Sequence, residues 1–178
     1  MRSIKVIIPI AFLLITMAFT QPENTNKNQK NDEIKWYTIE QVEELVKNEP
    51  KKIFIDVYTD WCGYCKVMDR ETFTNPEVIE LLNRDFYAVK LDAEGQDEIT
   101  FKEHTYKFVA QGRKGYHELA AAFLNGKMSY PTTVYLDEEL KPITMVPGYL
   151  KPEQIKPILN YFGKDHYKTQ SWEEYNKN

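Results

Sequence analysis

Two cysteines occur in the 178 residues, and they stand three apart in Trp61-Cys62-Gly63-Tyr64-Cys65-Lys66. The segment before them, Lys52 to Tyr58 (KIFIDVY), is short, mostly apolar and rich in β-branched residues. That pattern predicts a strand buried on both faces. A helix is expected from Cys62 into Arg70–Phe73. A cysteine pair between a strand and a helix points to redox chemistry. At this spacing a disulfide ring closes with little backbone movement. The first cysteine falls at the helix N-terminus, where unpaired N–H groups favour a thiolate, the attacking form in disulfide exchange. Cys62 is therefore the expected nucleophile, with an exposed thiol. Cys65, inside the first turn and less exposed, is the expected resolving thiol.

Two blander readings of the pair exist. One is a structural staple, although closing so short a loop constrains little of the unfolded chain. The other is half of a zinc site. That needs two further ligands, but no other cysteine exists, and His104, His117 and His166 are isolated and read as surface residues. No metal and no bound cofactor are expected, and the redox group is the cysteine pair itself.

Composition removes other classes. With 42% apolar and 13% aromatic residues the chain can build a core, which argues against disorder. The net charge of −4 and the lack of a basic stripe argue against a nucleic-acid partner. Residues 1–20 read as a secretory signal: Arg2 and Lys5, then an apolar run from Val6 to Phe19 broken by Pro9 and Thr16. A membrane span needs roughly 20 apolar residues, so an uncleaved anchor is the lesser reading. The expected location is outside the cytoplasm, in a periplasm. Residues 21–33 lack apolar side chains beyond Pro22 and read as a disordered linker.

Order is expected from Ile34. Thr38 with Gln41 forms a capping box ahead of Ile39, Val42, Leu45 and Val46 at helical spacing, and Pro50 stops that helix. Asn75-Pro76 opens the next helix, with Val78, Ile79, Leu81 and Leu82 as its apolar face. Phe86 to Asp92 is a second strand with Lys90 inside it, as Asp56 lies inside the first. Ala93 to Gly115 reads as a small hairpin or excursion. Tyr116 to Leu124 is a predicted helix, Pro131–Leu136 and Ile143–Val146 a strand pair, and Pro152–Phe162 a last helix that Pro157 should kink or end early. The tail, 163–178, is polar but carries Trp172, Tyr175 and a possible Ser171-x-x-Glu174 cap, and reads as either docked or free.

On these residues the chain resembles the thioredoxin superfamily over most of 34–162. IFIDVYTDWCGYCK is similar to the thioredoxin active-site segment, Tyr130-Pro131-Thr132 to its cis-proline turn, and Val146-Pro147-Gly148 to its last strand and glycine. The resemblance implies an α/β fold: a central mixed sheet flanked by helices, with an inserted segment (93–127) before the cis-proline strand. It implies a cis Pro131 facing the dithiol, and Tyr130 backbone groups free to pair with an extended substrate. It implies that Asp56 is a buried acid beneath Cys65, able to take its proton, and that Lys90 is the partner of that acid. Trp61, Gly63 and Tyr64 would line the substrate site. Gly63-Tyr64 departs from the thioredoxin Gly-Pro pair and is similar to that of periplasmic disulfide isomerases.

The expected activity is thiol–disulfide exchange on protein thiols and disulfides. No histidine lies between the cysteines, and Asp60 and Asp69 oppose Lys66. The site should thus be moderately reducing, a reductase or isomerase rather than an oxidase, re-reduced by a membrane electron donor. The competing expectation is a thioredoxin-like binding module whose disulfide is structural.

Overall fold

The computed structural model describes residues 33–112 and 114–177. The expected signal at 1–20, and the linker at 21–33 apart from Glu33, lie outside the described residues. In chain order the elements are β1 (Trp36–Tyr37), α1 (Ile39–Asn48), β2 (Lys52–Tyr58), α2 (Gly63–Glu71), α3 (Pro76–Asp85) and β3 (Phe86–Asp92). Two hairpins follow, β4 (Ile99–Phe101) with β5 (His104–Tyr106) and β6 (Phe108–Gln111) with β7 (Lys114–His117). Then come α4 (Glu118–Phe123), β8 (Thr132–Leu136), β9 (Pro142–Pro147), α5 (Pro152–Gly163), a 3₁₀ turn (His166–Lys168) and α6 (Trp172–Tyr175).

The central sheet is mixed, in the order β1-β3-β2-β8-β9, with helices on both faces. β2 lies in the middle, parallel to β3 and antiparallel to β8. Because side chains alternate along a strand, β2 feeds two cores. Ile53, Ile55 and Val57 pack with Ile39 and Val42 of α1 and with Leu119 and Phe123 of α4. Phe54 faces the other way, toward Met68 of α2, Leu82 of α3 and Leu159 of α5. Asp56 shares the parity of Phe54, so the sheet delivers its carboxyl to the face that α2 covers.

Local signals explain the helix starts. Thr38 and Gln41 exchange both bonds of the capping box. The Asn75 side chain accepts from the N–H groups of Glu77 and Val78, with Pro76 in the first turn. Ser171 and Glu174 cap α6, and the tail docks: Tyr161 stands edge-on to Trp172, and its hydroxyl donates to the Gln170 carbonyl.

Three expectations are corrected. Of the kink or early end expected at Pro157, the early end does not occur: the helix runs to Gly163. Ile155, Ile158, Leu159 and Phe162 are buried along one side and outweigh one lost backbone bond. Tyr116 and His117 belong to β7, so α4 is shorter than predicted. His117 is no surface residue: it is fully buried, its Nδ1 accepting from the Leu119 N–H at the start of α4 and its Nε2 lying 3.0 Å from the Asp97 carbonyl.

Candidate active site

The site gathers at the C-terminal end of β2. Cys62 is the N-cap of α2 and is disulfide-bonded to Cys65, with the two Cα atoms 5.3 Å apart. Cys62 Sγ accepts the backbone N–H of Cys65 at 3.1 Å, one of the unpaired donors of a helix start. That bond would stabilise negative charge on Cys62 once the disulfide opens. Cys62 is 5% exposed and Cys65 2%. The expected order of accessibility holds, but Cys62 is not exposed. Its place at the helix start gives the sulfur a backbone donor, the Cys65 N–H, and still leaves it little contact with solvent.

What stands out instead is aromatic. Trp61 is 63% exposed and Tyr64 67%, the two large apolar side chains left exposed among the described residues. The Trp61 ring lies edge-on to Tyr130, centroids 6.0 Å apart, and its Nε1–H donates to Glu94 at 3.0 Å. The Tyr64 ring stacks on Tyr149 at 6.1 Å and 25°, and the Tyr149 hydroxyl donates to Glu71. Gly63 has open space around it, so a Cβ there would meet no neighbour.

Tyr130 and Tyr149 come from adjacent loops. The Tyr130–Pro131 peptide is cis, and the Pro131 carbonyl accepts from the N–H of Gly148, whose φ of +98° suits glycine. No hydrogen bond among the described residues engages the N–H or C=O of Tyr130. Burial, with Glu94 and Asp92 nearby, pushes the Tyr130 phenol up to about 12, so it stays neutral.

Beneath α2, register pairs Asp56 of β2 with Lys90 of β3. Asp56 is 1% exposed, and its Oδ2 lies 2.7 Å from Lys90 Nζ. Its Oδ1 is buried with no hydrogen-bond partner among the described residues. Lys90 also pairs with Asp69, one helical turn beyond Cys65, and sits among the rings of Trp36, Tyr58 and Phe73 at 5.0 to 5.2 Å. Burial pushes the Asp56 carboxyl above its ordinary value; Lys90 opposes this and Asp69 reinforces it. Burial would lower Lys90, but its two carboxylates outweigh that and hold it above its usual value. The sequence reading set Asp69 against Lys66; the fold instead turns Asp69 toward Lys90.

The structure thus sets Trp61, Gly63 and Tyr64 around the Cys62–Cys65 pair, brings Tyr130 of the cis Tyr130–Pro131 peptide against Trp61, and places Asp56 and Lys90 under α2. Sequence reasoning gave Asp69 the wrong partner and missed Glu71, Glu94 and Tyr149. The i, i+4 spacing from Cys65 could have flagged Asp69; for the others no local signal existed. Among the described residues no group of three or more His, Cys, Asp or Glu is placed to hold a metal ion, and no helix is long and apolar enough to cross a membrane.

The sequence profile of a family described as "Thioredoxin-like domain" matches residues 39–163. A thiol:disulfide interchange protein DsbD from Actinobacillus pleuropneumoniae is 28% identical over 120 residues, covering 66% of this chain and 17% of that protein. Human spermatogenesis-associated protein 20 is 30% identical over 122 residues, covering 67% of this chain and 14% of that protein. The chain thus spans less than a fifth of the length of either relative. Among solved structures, a thioredoxin-fold protein from Helicobacter pylori superposes with a TM-score of 0.56 at 18% identity, covering 84% of this chain and 89% of that one.

Proposed function

The chain belongs to the thioredoxin-like domain family, and from that premise we propose that it is a thiol–disulfide oxidoreductase acting on proteins, a reductase or isomerase rather than an oxidase. The observation that carries the proposal is the Cys62–Cys65 disulfide at the start of α2, with Cys62 Sγ already accepting a helix N–H. A staple across three residues would add little stability, whereas a sulfur at a helix N-terminus is placed to be a thiolate.

The cycle starts from the reduced pair. The Cys62 thiolate attacks one sulfur of a client disulfide; a mixed disulfide forms and the client's other sulfur leaves as thiolate. Cys65 then gives its proton to Asp56, at the unpaired Oδ1, and attacks Cys62 Sγ. The Cys62–Cys65 bond re-forms, and the client's second sulfur departs as thiolate. Two electrons have passed to the client, and a dithiol donor at a membrane must return them. Lys90 steadies the Asp56 carboxylate before it takes the proton and faces a neutral acid afterwards. The client lies extended along Tyr130, whose free N–H and C=O can pair with it as an added strand. Trp61, Gly63, Tyr64 and Pro131 border that path. The charged start and apolar run of residues 1–20 support action outside the cytoplasm, in a periplasm.

The test is a trap. With Cys65→Ala, mixed disulfides through Cys62 should accumulate on client proteins in cells that make the protein normally. If none accumulate, the proposal is wrong. The direction of electron flow is read from the reduction potential of the pair, with insulin reduction and the rescue of scrambled ribonuclease. A strongly oxidising potential would refute the reductive assignment alone.

A further inference from the structure

The two exposed aromatic side chains of the described surface flank Cys62 in sequence, and each is pinned in the same manner. Trp61 leans on Tyr130 and is held by Glu94; Tyr64 lies on Tyr149, which is held by Glu71. Tyr149 is anchored beneath as well: it packs against the core on the α2 side, and its chain neighbour Gly148 is tied to Pro131. Glu71 is fixed in turn by Arg70 at 2.9 Å, and that contact together with the Tyr149 hydroxyl holds its carboxyl below the usual carboxylate range. The Tyr64 ring is therefore a supported platform at the rim, not a loose side chain.

We infer that Tyr64 and Tyr149 form a specificity-determining aromatic shelf. It takes an aromatic or bulky apolar side chain that neighbours the reacting cysteine of an extended polypeptide. The inference rests on the reading of the site as a thiol–disulfide exchanger and names its substrate class. Three observations select that occupant. Cys62 is nearly buried while Trp61 and Tyr64, on either side of it in the chain, are exposed, so a client that reaches the sulfur meets those rings first. The Tyr130 backbone is free to hold that chain as a strand. The carboxylates of Glu71 and Glu94, bonded to the Tyr149 hydroxyl and the Trp61 Nε1–H, disfavour an acidic client such as glutathione, while the exposed Tyr64 ring suits an uncharged side chain.

The test compares two disulfide-linked peptides that differ at one position beside the cysteine, Phe in one and Gly in the other. The reduced protein should reduce the Phe peptide with a higher kcat/KM, by roughly three- to tenfold, the range of one aromatic contact. The preference should appear mainly in KM. In Tyr149→Ala it should collapse toward unity, while Tyr149→Phe, which keeps the stack, should retain most of it. Tyr64→Ala should lose the preference to the same extent, and the double variant should lose no more. The Gly peptide is each variant's own reference, so a poorly folded variant slows both peptides and leaves the ratio readable. No preference in the natural protein, or one that survives Tyr149→Ala, overturns the shelf. Failure to reduce either peptide overturns the exchange reading itself, a different outcome from equal reduction of both.

Discussion

Replacing Asp56 by Asn should make the protein more stable and slower. Asp56 is 1% exposed and pairs with Lys90 at 2.7 Å. At an effective dielectric of about 20, such a pair gains about 4–6 kcal/mol, and each buried ion loses several kcal/mol of hydration. The raised Asp56 carboxyl says which side wins: burial outweighs the attraction of Lys90, and Asp69 adds repulsion. Asn keeps the volume and removes the charge, while Lys90 keeps Asp69 and three aromatic rings. Removing one partner of a buried pair ordinarily destabilises by leaving the other charge bare, but Lys90 keeps Asp69, so the expected gain at pH 7 is about 1–2 kcal/mol, or roughly 2–8 °C in Tm for a chain of this size. A carboxyl raised on folding contributes stability in acid and loses it as pH rises through its folded value. The variant's advantage should therefore open above about pH 4, the unfolded carboxyl's value, and stop growing once pH passes the raised folded value. The assay is thermal unfolding of the oxidised proteins from pH 4 to pH 8. Release of a client from the Cys62 mixed disulfide should slow by about 10–100-fold, since a positioned base is removed. A variant less stable at pH 7, or an advantage that persists unchanged at pH 4, would refute the electrostatic account. Unchanged release would remove Asp56 from the reaction.

Lys90→Met leaves two carboxylates facing each other under α2. Urea unfolding should show a loss of about 2–4 kcal/mol at pH 7 and much less at pH 4, where Asp56 carries a proton. Gly115→Ala would set a Cβ 2.1 Å from Phe108 Cζ and 2.6 Å from the Val109 carbonyl. That is overpacking by a whole methyl, so about 1–3 kcal/mol should be lost, with faster amide exchange confined to the β6–β7 hairpin and to α4 behind it.

The sequence made those elements legible whose period, caps and composition agree. α1, α3 and β2 are such cases: the Thr38 box, the Asn75-Pro76 start and the KIFIDVY run each mean one thing locally. The cysteine pair was legible for the same reason, because its chemistry follows from spacing and from the helix behind it. Two-residue β1 has no period to read. The polar strands of the insertion stack into two hairpins because partners across each turn satisfy their backbones, which no single segment announces. His117 looked like a lone surface residue because the partner that buries it, the Asp97 carbonyl, is twenty residues away. Tyr149 and Glu94 reach the site only after β8, β9 and the loop behind β3 are in place. Cys62 was misjudged on exposure because a place at a helix start fixes the sulfur's backbone donor, the Cys65 N–H, and not what covers it.

Lys52, the first residue of β2, is buried and paired with Glu138 beyond β8 and with Asp165 just past α5. The strand that ends at the cysteines is thus tied at its far end to the segment after the last large helix. Cutting the chain at Gly163 to obtain a minimal domain would strip that ammonium of one counter-ion and bare the Tyr161 ring that Trp172 now covers. The shortened protein would inherit a sticky, charged scar on the side remote from its sulfur chemistry, so poor behaviour in solution would say nothing about the fitness of the site.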